Sequence, residues 1–146
     1  MIYSSPIGTL ELAFDGPVLT SLHLAPAGSH TPAPASPSNV PAIRWLDCYF
    51  SGCEPDFIPP LEPQGTPFRR RVWQELLKVP YGQTVTYGEL ARRIGCRSAQ
   101  AVGQALNRNP IAIIIPCHRV VAASGLGGYA YGPDIKRKLL NLERNT

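Results

Sequence analysis

No stretch of this 146-residue chain approaches the roughly 20 apolar residues of a membrane-spanning helix. The N-terminus has neither the basic region nor the long apolar core of a secretory signal. Those absences make a soluble cytoplasmic protein the expectation, with no membrane among its partners. Without an export leader, Cys48, Cys53, Cys96 and Cys117 are expected as free thiols. His23, His30, Cys48 and Cys53 lack the spacing of a zinc module, so no metal is expected. Internal repeats are absent, and basic residues are scarce at the start. Residues 1–67 hold Arg44 against six carboxylates, a net charge of −5; residues 68–146 carry a net +9. That split points to a neutral-to-acidic cap joined to a basic, polyanion-facing part.

The patterning predicts an α/β (α+β) fold with two parts. Residues 1–60 read as a cap of small antiparallel sheet plus helix. Leu10, Leu12 and Phe14 alternate, Asp15-Gly16 turns into Val18–Leu24, and Ile43, Leu46 and Phe50 recur at helical spacing. Five prolines in residues 25–41 predict a loop, and four between Glu54 and Thr66 a link. Residues 66–146 read as a mainly helical domain. Thr66 and Pro67 open a helix through Lys78, with the stripe Phe68, Val72, Leu76 and Val79. Thr86-Tyr87-Gly88-Glu89 is a capping box for a short helix ending at Gly95, and Ser98 caps another over Ala99–Arg108. Two short helices about a glycine turn make a helix-turn-helix pattern. Leu139, Leu140 and Leu142 fit a last helix beginning near Pro133.

The most informative residues are Ile115-Pro116-Cys117-His118-Arg119-Val120, at the end of the run Ile111–Ile115. A thiol with a pKa of about 8.5 is a poor nucleophile until a base or positive field ionises it. Here an imidazole is its chain neighbour. Adjacent strand residues point to opposite faces, so His118 needs a turn to reach back, and Pro116 helps to set one.

This hexapeptide resembles the active-site motif of the O6-alkylguanine-DNA alkyltransferases. Pro67-Phe68, Thr86-Tyr87, Ala101-Val102-Gly103, Asn109-Pro110, Gly125, Gly128-Tyr129 and Lys136–Glu143 match too, in order and spacing. The resemblance implies irreversible transfer of an alkyl group from guanine O6 to Cys117, one turnover per molecule and no cofactor. It implies His118 as base through a water, Glu143 as its orienter, Asn109 holding the cysteine turn and Tyr87 donating to the leaving base. Tyr129 and the Ala130 amide would line the base pocket, with the Val120 carbonyl reading the guanine amino group. The implied partner is double-stranded DNA containing O6-alkylguanine, met by a monomer. Its nucleotide must be rotated out of the stack, and the second helix of the motif would enter the minor groove. Ala99, Ala101 and Gly103 suit that close approach, with Arg97 and Arg108 as charged neighbours.

One position departs from the family pattern. The family usually carries an intercalating arginine where this chain has Gln100, and Arg97 lies one turn away as a substitute. Relatives also often have proline where this chain has Ala112. Three other readings compete. A DNA-binding module without transfer has no use for Cys117, and a Cys-His hydrolase needs an oxyanion motif that is not visible. A transcription regulator needs base-reading side chains where Ala99 and Ala101 stand.

Overall fold

The computed structural model describes residues 1–25 and 40–144. His30 and most of the proline-rich stretch 25–41 lie outside the described residues. Three antiparallel strands open the chain in the order β1 (Ile2–Ser5), β2 (Gly8–Asp15), β3 (Val18–Leu24). Leu10 and Leu12 of β2 and Leu19 and Leu22 of β3 point inward and are buried. A bulge at Ala13/Phe14 breaks the register and leaves Phe14 half-buried. β1 has no counterpart in the sequence reading, because Ile2–Ser5 is short and shows no alternation.

The free edge of β3 is used rather than exposed. Leu19 N–H donates to Pro60 O at 2.9 Å and Glu62 N–H to Leu19 O at 3.0 Å, so the link adds to the edge as a short strand. Further along, Leu22 N–H donates to Pro110 O at 2.9 Å and Ala112 N–H to Leu22 O at 2.8 Å. The run that leads to Cys117 is thereby pinned to β3. Covering an edge in this way also blocks pairing with foreign strands.

α1 (Val40–Phe50) buries Ala42, Trp45, Leu46 and Tyr49. The expected face of Ile43, Leu46 and Phe50 is therefore rotated. Trp45 and Tyr49 stack with ring centroids 5.0 Å apart, and burying these two large rings leaves Ile43 and Phe50 half-covered. α2 (Pro67–Leu76) starts as expected, with Thr66 accepting from Arg69 N–H at 3.2 Å. It stops two residues before Lys78, where Lys78 N–H reaches Glu75 O and Val79 N–H reaches Leu76 O in a tighter 3-10 turn. Trp73 joins the buried stripe, its indole N–H donating to Ala105 O at 2.9 Å.

β4 (Val85–Thr86) pairs in parallel with β5 (Val120–Val121). α3 (Tyr87–Arg93) and α4 (Ala99–Asn107) form the expected helix-turn-helix. Thr86 caps α3 from Glu89 N–H at 3.1 Å, and Ser98 caps α4 from Ala101 N–H at 3.1 Å. Gly95 takes φ +70° between them, a conformation that favours glycine. α5 (Pro133–Arg144) closes the described chain. One buried cluster holds residues of both parts, from Leu10 and Tyr49 to Val102, Ile115 and Leu139.

Candidate active site

Two tight turns deliver Cys117. At the first, Ile114 N–H donates to Ala112 O at 2.8 Å around Ile113, whose φ is +72°. This is a γ-turn in the left-handed region, strained for a β-branched residue and held by near-complete burial of Ile113. At the second, Cys117 N–H donates to Ile115 O at 2.8 Å around Pro116, with φ −85° and ψ 65°. Pro116 has the ring-fixed φ that this inverse turn wants. Cys117–Arg119 then make one 3-10 turn, so a turn does follow Pro116.

Asn109 ties these turns together. Its side-chain N–H₂ donates to Ile115 O at 2.8 Å and to Cys117 Sγ at 3.3 Å, and its oxygen accepts from Ile111 N–H at 2.9 Å. Burial pushes the Cys117 thiol up; the Asn109 hydrogen bond, the Lys136 charge and the turn's own N–H act against this. The resting group is a thiol. Ionisation needs a base.

His118 is fully buried, and its Nε2 lies 2.6 Å from Glu143 Oε2. A carboxylate accepts, so this contact fixes the proton on Nε2 and leaves Nδ1 as the lone-pair nitrogen. Among the described residues Nδ1 has no hydrogen-bond partner. Burial lowers the pKa of His118, and the Glu143 bond works against that. Burial also raises that of Glu143, but His118 and Arg119 outweigh it and draw the carboxyl down to about 2.

Glu143 is the hub of this network. Arg119 Nε donates to Oε1 at 2.8 Å and its Nη2 to Oε2 at 3.2 Å; Gly82 N–H donates to Oε1 at 3.0 Å. Tyr49 of α1 adds a hydroxyl to Oε2 at 2.6 Å. Lys136, wholly buried, donates to Val120 O at 2.6 Å and Gly128 O at 2.8 Å. It clasps β5 to the loop 125–132. Sequence reasoning gave no role to Tyr49, Arg119 or Lys136. For the last two, their places inside matched motifs were the available signal; for Tyr49 there was none.

A cleft of about 370 Å³ opens at Cys117, a volume in the range of small-ligand sites. Ala99, Gln100 and Gly103 of α4 form one wall, Tyr129 and Ala130 of the loop another, with Tyr87 beside them. Gly128 N–H donates to the Tyr87 hydroxyl at 3.0 Å. A Cβ on Gly103 would meet nothing within 4 Å, so packing does not demand glycine there. Arg97 and Arg108 are exposed and Ala101 half-buried, and none of them borders the cleft. Val120 is buried and is not among the cleft's lining residues; its carbonyl accepts from Lys136 through one of two lone pairs.

Gly127 sets the loop's distance from Tyr87. It has φ +76°, and a Cβ would fall 2.9 Å from the Tyr87 hydroxyl and 3.0 Å from Ala122 N. Gly127→Ala is expected to cost about 1–3 kcal/mol by strain in that conformation and by displacing the loop. Urea unfolding reads the cost; an unchanged midpoint would remove this account of the loop.

A sequence model of the family described as "6-O-methylguanine DNA methyltransferase, DNA binding domain" matches residues 67–145. The chain is 48% identical to the methylated-DNA–protein-cysteine methyltransferase of Mycobacterium tuberculosis (strain ATCC 25618 / H37Rv), covering 97% of this chain and 89% of that one. It is 46% identical to the protein of that name from Methanosarcina acetivorans, covering 97% and 96%. The crystal structure of Mycobacterium tuberculosis OGT in complex with DNA superposes with a TM-score of 0.86 at 47% identity, covering 99% of this chain and 91% of that one. With the family model matching more than half of the chain and relatives at these identities matching nearly all of it, the chain belongs to the methylated-DNA–protein-cysteine methyltransferase family.

Proposed function

We propose that this chain repairs alkylated DNA by moving the alkyl group from guanine O6 to Cys117 Sγ, once per molecule. The observation that carries the reading is Cys117 itself. Its residue borders the cleft, its sulfur is held by Asn109, and the next residue is a neutral imidazole backed by Glu143.

The chemistry follows from that arrangement. The thiol proton passes through a water to His118 Nδ1, whose lone pair the Glu143 bond leaves available. The thiolate attacks the alkyl carbon in line with the C–O bond. A C–S bond forms, the C–O bond breaks, and the electron pair stays with guanine O6. Tyr87 donates to the departing base as it gains charge, and Ala130 N–H faces O6. The product is a thioether, which water does not cleave, so Cys117 is spent.

Guanine O6 is out of reach in a stacked duplex, so the nucleotide enters the cleft by flipping. α4 supplies the groove contact. Beside Gln100 its cleft-bordering residues are Ala99 and Gly103, too small to read bases and small enough for a minor groove. The +9 of residues 68–146 supplies phosphate attraction, which makes binding salt-dependent and weakly sequence-selective. Intact mass after incubation with O6-methylguanine duplex tests the whole reading. One methyl on Cys117 per protein is expected; continued product formation with excess substrate would defeat it and favour a hydrolase.

Gln100 is exposed and borders the cleft, where it fills the gap left by the flipped nucleotide. A neutral amide hydrogen-bonds the orphaned cytosine but neither stacks as a planar cation nor attracts phosphates. Gln100→Arg is expected to speed duplex repair about tenfold, worth about 1.4 kcal/mol of barrier. The gain should vanish with the free modified base, which needs no flipping. Equal effects on both substrates, or none, would shift the role to Arg97.

A further inference from the structure

Tyr49 lies in the cap, outside the residues 67–145 matched by the family's DNA-binding domain. We propose that Tyr49 is a positioning residue of the alkyl transfer, its phenol holding Glu143 from the cap side. The proposal rests on Cys117 being the alkyl acceptor.

The phenol is fully buried, and a buried hydroxyl needs a partner. It donates to Glu143 Oε2 at 2.6 Å and lies 3.4 Å from His118 Nε2. Tyr49 and His118 therefore converge on one carboxylate oxygen. Ring packing fixes the angle of approach. Tyr49 stacks on Trp45 and meets Phe50, Tyr81 and His118 edge-on, the last at 6.5 Å between centroids. Burial and the Glu143 charge hold its pKa far above the ordinary phenol range, so Tyr49 is a donor at every working pH.

Each hydrogen bond to Oε2 draws off part of the charge that His118 feels. Tyr49 therefore does two things: it anchors the carboxylate and moderates its pull on an imidazolium. Among the described residues the other charged or titratable groups around His118 are Glu143 and Lys136 from α5, Arg119 and Cys117 from its own turn, and Tyr129 from the loop. Tyr49→Phe changes none of them and leaves net charge untouched. It removes one donor.

The test measures single-turnover methyl transfer from an O6-methylguanine duplex against pH. Transfer needs neutral His118, so the rate falls on the acid side as the imidazole protonates. With Tyr49→Phe, the neutral-pH rate is expected to fall about tenfold and the acid limb to move to higher pH, as Glu143 pulls harder on His118. DNA affinity should stay at the wild-type value. Phe50→Leu is the control: it loosens the same helix and removes no donor, so its acid limb should stay. A wild-type rate and limb in Tyr49→Phe would overturn the proposal, as would an equal shift in Phe50→Leu. Failure of Tyr49→Phe to fold would overturn it in favour of a purely structural role. A wild-type chain that transfers no methyl would overturn the reading of Cys117 instead.

Discussion

Cys117→Ser should leave a folded, DNA-binding protein with no methyl transfer, a loss of at least about a thousandfold. Serine keeps the turn, because the N–H to Ile115 O and the Asn109 contacts survive a change of sulfur to oxygen. What disappears is a group that His118 can ionise. A hydroxyl is far harder to deprotonate than a thiol, and its oxygen is a poorer nucleophile toward saturated carbon. DNA affinity should hold, since Cys117 is buried and the proposed phosphate attraction belongs to the basic residues of 68–146. Transferred label and an electrophoretic shift with methylated duplex check the two halves. Residual transfer above a few per cent of wild type would mean another acceptor. Cys48, Cys53 and Cys96 are the other free thiols among the described residues, and none of them borders the cleft.

The parts legible in the sequence were those that local rules decide. Thr66, Thr86 and Ser98 each cap the helix they were expected to cap, because a side-chain oxygen three residues before an unpaired N–H is a local arrangement. A turn at Cys117 was legible from Pro116 and from the need of a thiol for a base, and a 3-10 turn stands there. The contact of His118 with Glu143 came through family resemblance, since the residues are 25 positions apart and no period links them. The rest depends on tertiary burial. Arg119 and Lys136 look like surface cations in sequence; inside, each is sustained by polar partners, Arg119 by Glu143 and Val79 O, Lys136 by two carbonyls. Tyr49 was hidden because the helix was read from Ile43, Leu46 and Phe50, a face that would leave the Trp45–Tyr49 stack outside. The γ-turn at Ile113 was also hidden. β-branched residues rarely take positive φ, and only burial within a pinned segment keeps Ile113 there.

Glu143→Gln is expected to weaken folding by about 3–5 kcal/mol and to slow transfer at least about a hundredfold. The carboxylate accepts from Tyr49, His118, Arg119 and Gly82, all of them donors. An amide has one accepting oxygen, and its N–H₂ would confront donors on the other side, leaving the Arg119 charge buried beside a neutral group. In the wild type the same network sets how stability responds to acid. His118 is held below its ordinary 6.5 by burial, so an unfolding chain takes up a proton there that the folded chain refuses. Stability is therefore full above 6.5 and starts to fall as pH drops through it. Glu143 is drawn from 4.5 down to about 2, so its contribution is present above 4.5 and is lost between those values. Urea midpoints between about pH 8 and about pH 3 should show both stages. In Glu143→Gln the decline starting at 6.5 should persist, because it reflects His118 charging in the unfolded chain. The share of the loss below 4.5 that belongs to this carboxylate should be gone. A variant that keeps the wild-type slope below 4.5 would mean that other carboxylates carry the acid sensitivity and that Glu143 is not the anchor of the network.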